Sequence, residues 1–306
     1  MVKVLQDFPQ VHQTFNLVPS MLIQIEDYAH GTAIDPFLRL ALKPPEDLTI
    51  PEKEFILQYF FQANEDQLIG RYPRYAELFH VLRRMQGNPQ LALPLFDTGM
   101  FRDLQILSQL AWFDEEYLIH DPEIAGLIAK GRGYTREDQV LLGTKQQQAL
   151  AKVIPIYKEF ADRGQIELSA TPFYHPILPL ICDSNIAGVS HPYVPLPPQF
   201  RYPGDAVEQL TRSRAYFEQQ FGTAPQGLWP SEGSVSDEVF SLAAKAGYRW
   251  AATDNGVLAR SLNQAETPLL NYQPFCWRQK EQQIHVLFRH DYISDLIGFV
   301  YSRMDA

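Results

Sequence analysis

The stretch Gly227-Leu228-Trp229-Pro230-Ser231-Glu232-Gly233-Ser234-Val235-Ser236 decides how the rest of the chain is read. A short apolar approach runs into a Trp and a Pro, then into one carboxylate among small residues, the pattern of a strand end opening into a loop. Residues 237–247 read as a helix. Ser236 supplies a capping oxygen, Asp237 and Glu238 fill the first turn, Lys245 sits in the last, and Gly247 is placed to stop it. Tyr248-Arg249-Trp250-Ala251-Ala252 reads as a second strand that ends in Thr253-Asp254-Asn255-Gly256. Strand, loop, helix and strand make a βαβ unit, whose parallel pairing puts both strand ends on one rim. Glu232 and Asp254 therefore fall at the carboxyl ends of neighbouring strands, where α/β folds build their sites. From the residues alone two readings of Glu232 stay open: a catalytic carboxylate, or an acid that favours a helix start.

The composition narrows the class. A chain of 306 residues that is 45% hydrophobic fits one α/β domain spanning 1–306. A formal charge of -10 argues against a nucleic-acid partner. No apolar run is long enough to cross a membrane, and the start at Met1 has no secretory core. Cys182 and Cys276 are too few for a disulfide framework and too far apart for a zinc pattern, which points to a reducing, cytoplasmic location. Aromatic content of 12% suits a sugar-binding cleft, and suits an ordinary core equally.

Outward from the central unit, Val11 to Leu17 reads as a strand, with Asn16 at its end facing either a ligand or loop backbone. Met21, Leu22, Ile25 and Tyr28 fall at helical spacing before Gly31, and a long apolar stripe predicts a helix over 52–69. Thr135 to Asp138 resembles a capping box, and the helical period runs on to Gly164, with Pro155 placed to kink or divide it. So much helix between the first two strands predicts an insertion at about 35–163, packed on the rim. Gln165 to Ala170 is a strand with Glu167 and Ser169 on one face, and it runs into Thr171-Pro172-Phe173-Tyr174-His175-Pro176. A Pro-rich crossing from Ile186 to Pro203 precedes a helix over 205–221. Leu269-Leu270-Asn271 and Cys276-Trp277 look like short strand pieces, 283–288 is a better strand running into Arg289-His290-Asp291, and Leu296 begins a helix.

Four strand ends thus gather polar residues on one rim: His175, Glu232, Asp254 and the Arg289 group. Facing carboxylates are what glycosidic cleavage needs. The same His and Asp groups suit a divalent metal in a deacetylase, but HxxxH is missing and the one HxxE, His120 to Glu123, spans Pro122. The metal ranks lower. At this point a resemblance joins the residues. Gly164-Gln165-Ile166-Glu167 with Pro172-Phe173-Tyr174-His175-Pro176-Ile177-Leu178-Pro179, then Trp229-Pro230-Ser231-Glu232, Ala252-Thr253-Asp254 and Ser294-Asp295-Leu296-Ile297-Gly298-Phe299 resemble glycoside hydrolase family 57. More narrowly the chain resembles the amylopullulanase or α-amylase-like branch, and the likeness includes Thr14-Phe15-Asn16-Leu17-Val18-Pro19-Ser20.

The resemblance implies an α/β fold, an incomplete seven-stranded (β/α) TIM-like barrel with helical insertions. It also implies retaining action on α-1,4 or α-1,6 glucans, as hydrolase or 4-α-glucanotransferase, with neither metal nor cofactor. Glu232 matches the nucleophile; His175, Trp229, Asp254, Arg289, His290, Asp291 and Asp295 fall at substrate-side positions. The family's first strand carries an HQP-type motif and its general acid is an aspartate followed by Gly-Glu-Asn, and neither run stands in this sequence. The expectation is therefore a partial barrel, with the acid past Ala306 and Asp254 not promoted to that role. Its open edge would favour self-association. In Arg289-His290-Asp291 the His and Asp also stand in reverse of the family's order. A glucan-binding remnant without turnover and a metal-dependent polysaccharide deacetylase are the rival readings.

Overall fold

The computed structural model describes residues 2–265, 267, 270, 272–301 and 304. The chain divides into two compact units, one formed by Met1–Ile25 with Val153–Ala306 and the other by Glu26–Lys152. The first is built on a sheet of β1 (Gln13–Leu17), β2 (Ile166–Ala170), β3 (Gly227–Leu228), β4 (Trp250–Asp254), β5 (Phe275–Gln279) and β6 (Gln282–Arg289), in the order β1-β2-β3-β4-β6-β5. Every pairing from β1 to β6 is parallel, and β5 lies antiparallel on β6. Among the described residues the sheet thus has six strands, consistent with the expected incomplete (β/α) barrel. The hairpin accounts for the direction of β5: Lys280 takes a left-handed φ of 55° in the tight turn, and a turn that short can return the chain only antiparallel. The expected strand piece at Leu269-Leu270-Asn271 lies largely outside the described residues.

One face of the sheet is covered by helices. Leu228, Ala251, Ile284 and Val286 point to that face and pack with Val239, Phe240 and Ala243 of the helix Asp237–Ala246 and Leu210 of the helix Pro203–Phe221. Leu17 and Ala170 meet Phe217 and Phe221 of the latter, and Ile166 meets Phe160 of the helix Val153–Asp162. Burying each Val, Leu, Ile or Phe among them is worth about 1.5–3 kcal/mol. The covered face therefore holds the unit together and leaves the alternate residues of each strand free for polar work.

Local signals explain most element ends. Ser236 Oγ accepts from Val239 N–H, and Gly247 at φ 95° stops the helix. The helix expected to run from 136 to 164 is divided at Lys152, into Arg136–Ala151 and Val153–Asp162, because Pro155 cannot donate to the Ala151 carbonyl. The helix expected over 52–69 is also two pieces: Ile50–Tyr59, then a π-type turn Glu65–Ile69 whose backbone is capped by the Asn64 side chain. Asn64 offers the chain a competing local partner and breaks the stripe.

The second unit is helical and has its own core around Ile56, Leu57, Tyr75, Leu78, Leu104 and Leu107. Asp103, 2% exposed, is paired with Arg74 Nε at 2.8 Å and accepts the Tyr134 N–H, as a buried charge requires. The pattern placed an insertion at about 35–163; the helical unit runs over Glu26–Lys152, and Val153–Asp162 belongs with the sheet.

Candidate functional site

Strand alternation builds the opposite face. Thr14 and Asn16 of β1, Glu167 and Ser169 of β2, Trp250 and Ala252 of β4, and His285 and Leu287 of β6 line one cleft of about 580 Å³, together with Trp229 and Arg289. Register carries the row across the sheet: Asn16 opposes Ser169, Ser169 opposes Gly227, Gly227 opposes Trp250, and Trp250 opposes His285. A closed (β/α) barrel fills this position with branched aliphatic layers. Here it is polar and aromatic.

Trp250 organises the floor. Its indole spans β3, and Nε1–H donates to Glu167 Oε1 at 2.8 Å. The ring passes so close over Gly227 that a Cβ there would stand 2.1 Å from Cζ2. Only glycine allows this approach. Thr14 Oγ1 lies 3.5 Å from the other Glu167 oxygen, and Ser169 Oγ donates to Asn16 Oδ1 at 3.1 Å.

The turn after β3 carries Glu232. Its residues Ser231–Gly233 form a single tight turn in which Glu232 has φ 56° and ψ 21° and Gly233 has φ 64°. Two successive left-handed residues, one of them not glycine, store about 1–3 kcal/mol of strain that surrounding contacts must hold. Three such contacts exist. Gly233 N–H donates to Pro230 O at 2.9 Å, Ser234 N–H to Ser231 O at 3.0 Å, and Thr253 Oγ1 to Gly233 O at 2.6 Å. Ser231, 1% exposed, has no hydrogen-bond partner for its hydroxyl among the described residues. The Glu232 side chain is exposed and takes part in no hydrogen bond or ion pair there. Ser236 caps the following helix, so Glu232 is not spent as a cap.

The other expected residues take distinct places. Asp254 ends β4 opposite Arg289, and its Oδ1 accepts Val257 N–H as the cap of the helix Asn255–Leu262. Asn255, 1% exposed, ties the two strand ends together: its amide donates to Asp291 Oδ1 at 3.3 Å and its carbonyl oxygen accepts Asp291 N–H at 3.2 Å. The Tyr292 N–H, then Asn255, then the nearby His290 and Arg289 hold the Asp291 carboxyl below its ordinary range. His290 Nδ1 lies 3.7 Å from Asp291, and its ring stacks near Tyr272. His175 is exposed at φ 58° on the loop after β2, which Arg212 braces at 4.2 Å from the Phe173 ring. Asp295 is exposed at the end of the short helix Asp291–Asp295. Of the expected site residues, Trp229 and Arg289 line the cleft; Glu232, His175, Asp254, His290, Asp291 and Asp295 do not.

Trp250, His285, Thr253 and Asn255 were not singled out in the sequence. Period-two alternation carries Trp250 and His285, since both share a face with Glu167 and Ser169, already read as one side of β2. Nothing local marks Thr253, whose partner is 20 residues away. No group of three or more His, Cys, Asp or Glu side chains placed to share a metal ion occurs among the described residues, and no helix among them is long and apolar enough to cross a membrane.

Comparison with known proteins adds a family. The model of Glycosyl hydrolase family 57 matches residues 1–306. Alpha-amylase 1 of Dictyoglomus thermophilum is 30% identical over 98 residues, 32% of this chain and 11% of the amylase. A branching enzyme of Thermococcus kodakaraensis matches at 14% identity and TM-score 0.41, over 95% of this chain and 49% of its own. The α-amylase AmyC of Thermotoga maritima matches at 13% and TM-score 0.38, over 91% and 45%. The chain spans about half the length of these solved relatives and about a tenth of the Dictyoglomus amylase.

Proposed function

Since this chain belongs to glycosyl hydrolase family 57, we propose that it acts on α-1,4- or α-1,6-linked glucans as a retaining hydrolase or glucanotransferase, with Glu232 as the nucleophile. The observation that carries this is the Glu232 turn. An exposed carboxylate, with no hydrogen bond or ion pair among the described residues, stands on a strained and pinned backbone at the carboxyl end of β3. Strain held in place by surrounding contacts is characteristic of functional positions.

In the first step a Glu232 oxygen bonds to the anomeric carbon. The glycosidic C–O bond breaks with its electron pair on the leaving oxygen, which takes a proton from a general acid. In the second, the oxygen of water or of a sugar hydroxyl bonds to that carbon, the ester to Glu232 breaks, and the proton goes to the conjugate base of the acid. Asp254 and Asp291 are engaged as a helix cap and as the partner of Asn255, and neither is assigned the proton donor. Trp229 and Arg289 reach the substrate from the cleft, and His175, His290 and Asp295 from the loops around it. The family and the name of its amylase relative support an α-glucan substrate. The reading includes self-association through the outer edge of β1, which has no strand beside it among the described residues, and a reducing, cytoplasmic location consistent with free Cys182 and Cys276.

The test is incubation of the chain with maltoheptaose, analysed by chromatography beside Glu232→Gln. Shorter or redistributed glucans from the wild type alone are the expected result. Equal product from Glu232→Gln sinks the assignment of Glu232, and no product from the wild type sinks turnover by this chain.

A further inference from the structure

Thr253 holds the left-handed turn that carries Glu232. It lies on β4, 1% exposed, and its hydroxyl crosses to the neighbouring loop to donate to the Gly233 carbonyl at 2.6 Å. That carbonyl follows directly on Glu232, in a turn where Glu232 and Gly233 are both left-handed. The turn's own two hydrogen bonds, Gly233 N–H to Pro230 O and Ser234 N–H to Ser231 O, lie within the loop and move with it. Trp229 N–H donating to Ala170 O fixes where the loop leaves the sheet, on the β2 side. Thr253 alone among these contacts ties the turn beyond Glu232 to the sheet, on the β4 side. Its own strand is tied in turn: Asp254 beside it caps the helix Asn255–Leu262, and Asn255 is locked to Asp291.

We propose that Thr253 is a positioning residue for Glu232: its hydroxyl sets the height and direction from which the Glu232 carboxylate meets the anomeric carbon. The proposal rests on the reading of Glu232 as nucleophile. A strained turn relaxes when a restraint is removed, and the carboxylate then attacks from the wrong place. Displacement of a reacting group by about 1 Å costs on the order of a hundredfold in rate. Binding of the glucan is untouched, because the Thr253 side chain is buried and its hydroxyl is engaged by the Gly233 carbonyl.

The experiment measures kcat and KM on maltoheptaose for the full chain, Thr253→Val, Thr253→Ser and Glu232→Gln. Thr253→Val keeps the shape and removes the hydroxyl; Thr253→Ser keeps the hydroxyl. The expected result is a kcat reduced about a hundredfold in Thr253→Val, with KM unchanged, and recovery of most of it in Thr253→Ser. A role in packing alone gives the opposite order, since serine loses the methyl group. Thr253→Ala repeats the comparison if the valine variant does not fold. Wild-type kcat in Thr253→Val, or no recovery in Thr253→Ser, overturns the inference while leaving Glu232 in place. Full activity in Glu232→Gln overturns the nucleophile reading and this inference with it.

Discussion

Gly227→Ala is the substitution whose cost follows most directly from the geometry. A methyl group at Gly227 would stand 2.1, 2.2 and 2.7 Å from Cζ2, Cε2 and Cη2 of Trp250, where carbons rest at about 3.5–4.0 Å. The indole must withdraw by about 1.5 Å, and its 2.8 Å hydrogen bond to Glu167 then opens beyond bonding range. Forced repacking costs about 1–3 kcal/mol. The lost bond adds roughly 0.5–1.5 kcal/mol, the lower range applying because Glu167 is exposed. Chemical denaturation followed by tryptophan fluorescence should therefore show Gly227→Ala less stable by about 2–4 kcal/mol. Trp250→Phe loses the N–H together with ring atoms that pack over Gly227, and should fall by more than the roughly 0.5–1.5 kcal/mol of the hydrogen bond alone. Adding Trp250→Ala to Gly227→Ala removes the clash, so the double variant should be more stable than the sum of the singles, by about 1–3 kcal/mol. Wild-type stability in Gly227→Ala, or strict additivity in the double variant, refutes the account of the cleft floor.

The charges give two further expected outcomes. Lys43, then the Thr49 N–H, then Arg39 hold the Glu52 carboxyl down, from an ordinary 4.5 to about 2. A depressed carboxyl stabilises the fold above its unfolded value, so this contribution is present above pH 4.5 and is lost as pH falls from there through about 2. Stability measured across that window should fall less steeply in Glu52→Gln than in the wild type, and identical slopes contradict the assignment. Asn255→Ala removes one of the donors to Asp291 and leaves the Asp291 N–H without its partner. It should cost about 1–3 kcal/mol, and NMR titration should show the Asp291 carboxyl moving up toward its ordinary value, part of the depression remaining through Tyr292 N–H. An unmoved Asp291 titration contradicts the pairing.

The parts legible in the sequence are those whose causes are local. Ser236, the acids after it and Gly247 mark both ends of one helix within a dozen residues, and the βαβ unit around Glu232 is built on them. The strand ends carrying His175, Glu232, Asp254 and Arg289 were placed for the same reason. The turn-like string Thr253-Asp254-Asn255-Gly256 hid a helix, because Asp254 both ends a strand and caps the helix Asn255–Leu262. Long-range partners left no mark. Trp250 and Glu167 are 83 residues apart and Asn255 and Asp291 are 36 apart, and no spacing rule joins them. The glycine at 227 is explained only once the indole is seen to cross it. The direction of β5 and the break at Asn64 depended on one turn residue and one cap, which a long apolar stripe outweighs on paper.

The central claim is that the Glu232 carboxylate bonds to the anomeric carbon. Incubating the chain with 5-fluoro-α-glucosyl fluoride, which slows release of the sugar ester, and mapping the product by peptide mass spectrometry tests it most directly. The account predicts one added fluoroglucosyl group, on the peptide containing Glu232 and absent from Glu232→Gln. A label on any other carboxylate, or an unlabelled wild-type chain, contradicts it.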